Sequence, residues 1–170
     1  MWAANPQWTN PDEYKGEGFW RALKKGAKLI VIDPRKGFLT KKADLWLQLR
    51  PGTDAALALG FFNVIIEEGL YDDAFVHKYI NGWDAFVERV RKYPLDKVEE
   101  ITWVKQDLIR MAARMYGTTQ PACINWGVPT EQTVNCTDCT RLLTGLMAIT
   151  GNLDRPGGNA FFVPPPVRTV

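Results

Sequence analysis

The chain has 170 residues, 46% of them hydrophobic, enough for one domain with a core of its own. Its 21 basic and 19 acidic residues leave a net charge of +2, which excludes the one-sided field that a nucleic-acid or anionic-membrane surface needs. No apolar run approaches the roughly 20 residues of a membrane span, and the start carries no basic-then-apolar leader, so direct membrane insertion is excluded for these residues.

In chain order, a helix is predicted over residues 12–25, closed by Gly26. The β-branched run of residues 28–33 follows and reads as a buried parallel strand stopped by Pro34. Residues 36–42 are basic, contain Gly37 and read as an exposed loop. Residues 43–49 alternate apolar and polar as a second strand, broken by the turn chemistry of residues 50–54. Thr53 or Asp54 is placed to cap the almost wholly apolar helix over residues 55–68, which Gly69 ends. Residues 72–116 are helical throughout, with breaks at Asn81-Gly82, at Tyr93-Pro94 and near Thr102; within them residues 84–92 and 105–116, with apolar residues at three-to-four spacing and Arg and Lys between, read as solvent-facing helices. Residues 121–127 form a third strand candidate, residues 139–150 a further helix closed by Gly151, and residues 156–166 a loop. Strands alternating with helices predict a three-layer, Rossmann-like α/β domain over residues 1–160, with a mostly parallel sheet and a tail over 161–170. Three strands are few for such a sheet. Residues 2–6 read as loop, so the first strand or strands are expected to be absent.

Ligands of open α/β sheets sit at the carboxyl ends of strands, which singles out Asn5-Pro6, Asp33-Pro34-Arg35, the turn at residues 50–54, and Trp126-Gly127. Asp33 is either a ribose-hydroxyl acceptor or a loop cap paired with Arg35. Arg35 suits a phosphate or a stacked base, and equally a solvated surface. Asp54 either caps its helix or offers its carboxylate to the paired N–H donors of guanine. Gly52 permits close backbone approach to a ligand, or simply completes a Pro-Gly turn. Cys136 and Cys139 have no second pair, and the single histidine, His77, lies in a polar stretch, so neither a metal site nor a redox motif is expected. The three cysteines are expected as reduced thiols. The sequence contains no serine, which removes a Ser-His-Asp triad, and no phosphate-loop or Gly-x-Gly-x-x-Gly motif.

The segments AANP (3–6), GAKLIVIDPR (26–35), ADLWLQLRPGTDAALAL (43–59), NVIIEEGLYD (63–72) and ITGNLDRPGGN (149–159) resemble, in the same order, the molybdopterin oxidoreductase family. This is the bis-molybdopterin guanine dinucleotide group of dimethyl sulfoxide reductase and formate dehydrogenase type. The resemblance implies a central domain whose loops hold the GMP half of one molybdopterin guanine dinucleotide. Asn5 and Pro6 match the first nucleotide loop, and Asp33, Pro34 and Arg35 the loop at ribose and phosphate. Leu49, Arg50, Gly52 and Asp54 match the guanine loop, and Trp126 and Gly127 a strand end near the cofactor. No residue here matches the metal ligand, and Trp8-Thr-Asn10 departs from the family's run after Asn-Pro. The implied protein is therefore a cofactor-holding part of a molybdenum or tungsten oxidoreductase, without a complete active site and inactive when isolated. An iron–sulfur cluster, if present, would lie elsewhere in the parent enzyme. Expected partners are the parent's remaining domains and an electron-transfer iron–sulfur subunit, with self-association through exposed apolar surface. The setting is a bacterial or archaeal cytoplasm, or the exported side. Two other readings fit the residues: the central nucleotide domain of a thiamine-diphosphate enzyme, and a ligand-free structural or docking domain.

Overall fold

The computed structural model describes residues 1–6 and 13–161, the side chains of residues 13–17 excepted. The start of the predicted first helix at Asp12, the departure at Trp8-Thr-Asn10 and the tail beyond Phe161 lie outside the described residues. Two short strands pair in parallel: β1 (Ile30–Ile32) and β2 (Leu45–Leu47), with Ile30 opposite Leu45 and Ile32 opposite Leu47. Both fall within runs predicted as strands. Gly26, at φ +91°, makes the left-handed turn that ends helix α1 (Glu13–Lys24) and leads into β1.

The sheet continues past β1. Trp2 bridges in parallel to both Ile32 and Trp126. Main-chain bonds run from Ile32 N to Met1 O (2.9 Å), Ala3 N to Ile32 O (2.8 Å), Trp2 N to Asn125 O (2.8 Å) and Gly127 N to Trp2 O (3.0 Å). The order across the sheet is residues 125–127, residues 1–3, β1, β2. The reading of residues 2–3 as unpaired loop is thus corrected, because they occupy an interior position, and it no longer gives a ground for an absent first strand. One tryptophan followed by two alanines is too short a run to carry a strand's alternation.

The strand predicted over residues 121–127 bridges only at Trp126; asparagine side chains pair much of the rest. Asn159 accepts from Ile124 N (2.9 Å) and donates to Ile124 O (2.8 Å), and the buried Asn152 accepts from Ala122 N (2.9 Å). These amides satisfy main-chain groups that a neighbouring strand would otherwise pair.

Alternation along β1 sends Leu29 and Val31 to one face, against Phe19, Trp20 and Leu23 of α1. Ile32, Leu45 and Leu47 point the other way, into the main core. That core is largely helical. Helix α2 (Asp54–Glu67) is buried along most of its length and packs on α5 (Leu95–Thr102), α6 (Gln106–Thr118) and α7 (Cys136–Ile149). It nears α5 at Gly60, where a Cβ would stand 2.9 Å from Val98 Cγ1. Short helices α3 (Asp73–Tyr79) and α4 (Trp83–Val90) flank this group.

The expectation of solvent-facing helices over residues 84–92 and 105–116 is corrected: Val90, Ile109, Ala112 and Ala113 are fully buried or nearly so. Their spacing is a core stripe, and the arginines and lysines between them form the outer face. On that outer face Glu68 binds Arg110 (2.9 Å) and Arg114 (2.7 Å), while Glu99 takes Lys105 (2.6 Å) and the N–H of Gln106 (2.9 Å) that opens α6. Among the described residues no helix is long and apolar enough to cross a membrane. The architecture is α/β, helices with a small parallel sheet.

Candidate functional site

Because the paired segments run in parallel, their carboxyl ends share one edge. The loops predicted to bind ligand all leave from it: residues 4–6, residues 33–35 after β1, residues 48–54 after β2, and Gly127. The loop after β1 is the most firmly built. Asp33 Oδ1 accepts from Arg35 N (2.7 Å), a turn that fixes the carboxylate's direction. Asp33 N donates to Leu47 O (3.2 Å), Trp46 Nε1 donates to Asp33 O (2.9 Å), and Gln48 Nε2 donates to Pro34 O (2.9 Å). These bonds tie the loop to β2.

Asn5, Asp33 and Arg35 line one pocket of about 170 Å³ with Gly37, Phe38 and Thr40. Pockets that enclose a whole small molecule run to about 300–1,000 Å³, so this one fits a sugar or a phosphate group. Its chemistry suits either, with an acceptor carboxylate, an amide and a guanidinium in its wall.

The remaining predicted residues are placed apart from that pocket. Pro6 is buried, and Leu49 is buried in the core, so only its main chain could meet a ligand. Arg50 is exposed, its guanidinium 5.2 Å from the Trp103 ring centre. Gly52 adopts φ +82° and, with Thr53, borders a second cavity of about 670 Å³ walled by Phe62, Trp83, Phe86 and Arg141. The two cavities share no lining residue.

Asp54 opens α2 but is 8% exposed, and its Oδ1 accepts from Trp2 Nε1 at 2.8 Å. The helix is capped at Thr53 with no side-chain capping bond; Thr53 Oγ1 instead donates to Arg50 O (2.6 Å). Sequence reasoning missed the Trp2–Asp54 pair. Its signal was there in principle, because a tryptophan next to an interior segment must find an acceptor for its N–H.

Trp126 Nε1 donates to Glu131 Oε1 (2.8 Å), in the short helix Val128–Glu131. A Cβ on Gly127 would lie 2.2 Å from Ala3 O, so glycine there lets two backbones meet. Among the cysteines, Cys139 is buried and its thiol is pushed up to about 12 by burial, with the charges of Asp54 and Cys136 adding to the effect. A thiol held protonated in this way is not a nucleophile or a ready metal ligand. His77 pairs with Asp73 (3.3 Å) on an exposed helix surface. Among the described residues no three His, Cys, Asp or Glu side chains gather as a metal ion would require.

A small parallel sheet packed with helices, whose loops gather an acid, an amide and an arginine at one edge, defines an α/β class of protein. The sequence pattern of the molybdopterin oxidoreductases matches residues 1–163, and the chain belongs to that family. It is 50% identical over 131 residues to the acetylene hydratase of Syntrophotalea acetylenica, covering 77% of this chain and 18% of that protein. It is 42% identical over 135 residues to formate dehydrogenase H of Escherichia coli, covering 79% of this chain and 19% of that one. The solved acetylene hydratase of Pelobacter acetylenicus superposes with a TM-score of 0.79 at 48% identity, over 81% of this chain and 19% of that chain. The chain thus spans about a fifth of the length of these relatives. Family membership implies a molybdopterin cofactor. It does not favour the thiamine-diphosphate or ligand-free readings.

Proposed function

We propose that this chain holds the GMP half of a molybdopterin guanine dinucleotide inside a larger molybdenum or tungsten enzyme. The observation that carries the reading is the convergence of Asn5, Asp33 and Arg35 on one pocket, at the carboxyl edge of the sheet, in a member of this family. When bound, the metal–pterin group supplies the redox or Lewis-acid chemistry, and this chain's residues place it. Asp33, its carboxylate set by the turn at Arg35, accepts from ribose hydroxyls; Arg35 meets the phosphate with its planar fork; Asn5 closes the wall. Helices on both faces of the sheet agree with a Rossmann-like arrangement. In this reading catalysis belongs to the whole enzyme, as does any iron–sulfur cluster. The parent's other domains and an electron-transfer subunit cover exposed apolar side chains such as Val134 and Met111, which drive self-association when left bare.

Isothermal titration of the chain with GMP tests this. Asp33→Ala is expected to weaken binding about tenfold or more, the loss of one hydrogen bond to a charged acceptor. Equal affinity in wild type and Asp33→Ala would count against the assignment.

A further inference from the structure

The pocket of Asn5, Asp33 and Arg35 has a second wall, the turn at residues 37–40. That turn is closed by its own bonds. Thr40 Oγ1 accepts from Gly37 N (3.0 Å) and donates to Gly37 O (2.9 Å), and Leu39 is buried beside Leu29 and Val31 in the small core against α1. Phe38 stays outside that core and is 42% exposed. Its ring meets Trp20 of α1 edge-on, with ring centres 5.7 Å apart and planes at 72°, and Lys42 Nζ lies 5.9 Å from its centre. Among the described residues, no other exposed large apolar side chain lines this pocket.

The face of a phenyl ring is apolar and carries the negative end of its quadrupole, so it attracts C–H groups more readily than hydroxyl oxygens. A ribose offers both kinds of group: hydroxyls that a carboxylate can accept from, and C–H groups that need an apolar surface. At about 170 Å³ the pocket has room for the sugar and leaves the base outside. We infer that Phe38 is the ribose-facing wall of this site: the sugar's C–H groups lie on its ring while Asp33 accepts from the hydroxyls, so the pair sets which way round the sugar sits. This rests on the GMP-binding reading above. Because the turn is bonded and the ring is braced by Trp20, the surface is in place before the ligand arrives.

The test uses the full chain, with GMP as probe. In NMR spectra of the complex, the ribose protons of GMP are expected to move upfield and to show cross-relaxation with the Phe38 ring, and both effects are expected to vanish in Phe38→Leu. By titration, Phe38→Ala is expected to bind GMP about fivefold more weakly, the scale of covering part of one ring face, and Phe38→Tyr within about twofold of wild type. Ribose 5-phosphate, competed against GMP, should lose affinity for Phe38→Ala by the same factor, and inorganic phosphate should lose none. The melting temperature of Phe38→Ala should stay near that of wild type while its GMP affinity falls, a split that a purely structural phenylalanine would not show. Ring contact with guanine alone or with no part of GMP, or full GMP affinity in Phe38→Ala, overturns the inference and leaves the GMP-binding reading standing. Wild-type chain that does not bind GMP overturns that reading, and this inference with it.

Discussion

Replacing Asp54 by alanine strands the Trp2 indole N–H inside the sheet's main core. Trp2 is 2% exposed and Asp54 8%, so water cannot take the place of the lost carboxylate. A hydrogen bond to a charged acceptor contributes about 1.5–3 kcal/mol, and the unpaired donor left behind keeps the cost at that level. For a domain of this size each kcal/mol moves the melting temperature by about 2–4 °C, so Asp54→Ala is expected to melt about 3–12 °C lower by far-UV circular dichroism. Asp54→Asn preserves an acceptor oxygen for the 2.8 Å bond from Trp2 but replaces a charged partner with a neutral one of about half the strength. It should cost about 1 kcal/mol and retain the fold. The asparagine keeps one acceptor for Trp2 without the second acceptor oxygen and the charge of a carboxylate. Melting of Asp54→Ala within 1 °C of wild type, or an asparagine variant as unstable as the alanine, would refute this account.

Two further outcomes are expected. The guanidinium groups of Arg114 and Arg110 hold the Glu68 carboxyl below its ordinary value of 4.5, so the unfolded chain binds the extra proton first. Stability from this cluster is complete above that value and is lost as pH falls through the lower, folded one. Glu68→Gln should flatten the acid limb of a urea-midpoint-against-pH curve, and an unchanged limb would dismiss the contribution. Gly127→Ala places a methyl 2.2 Å from the Ala3 carbonyl oxygen, a main-chain atom that cannot swing aside. The expected loss is about 1–3 kcal/mol in chemical denaturation, and a wild-type midpoint would show that the sheet opens there without cost.

Elements whose signal is local were legible in the sequence. Helix α2 was foreseen from an unbroken apolar run between a turn and Gly69, and β1 and β2 from short β-branched or alternating segments stopped by Pro34 and Arg50. The buried stripe of Ile109, Ala112, Ala113 and Tyr116 was visible as three-to-four spacing, but the basic residues between drew the reading toward solvent. What stayed hidden was pairing across the chain. Nothing near Trp2 announces Asp54, and nothing near Ile124 announces that Asn159 will stand in for a neighbouring strand. The site divides the same way. The loops at Asn5 and Asp33–Arg35 were found from strand ends, whereas the separation of Gly52 from their pocket, and the burial of Asp54, depend on how α2 enters the core.

Residues 1–3 lie in the sheet between β1 and residues 125–127, so segments far apart in sequence are stitched together. Contacts of such sequence separation require a long loop to close before they return any free energy, which places them late in folding. Asn5 is set beside Asp33 by the bonds of residues 1–3 to Ile32, a much shorter closure than the one to residues 125–127. A ligand that meets both residues binds only molecules in which that closure is made.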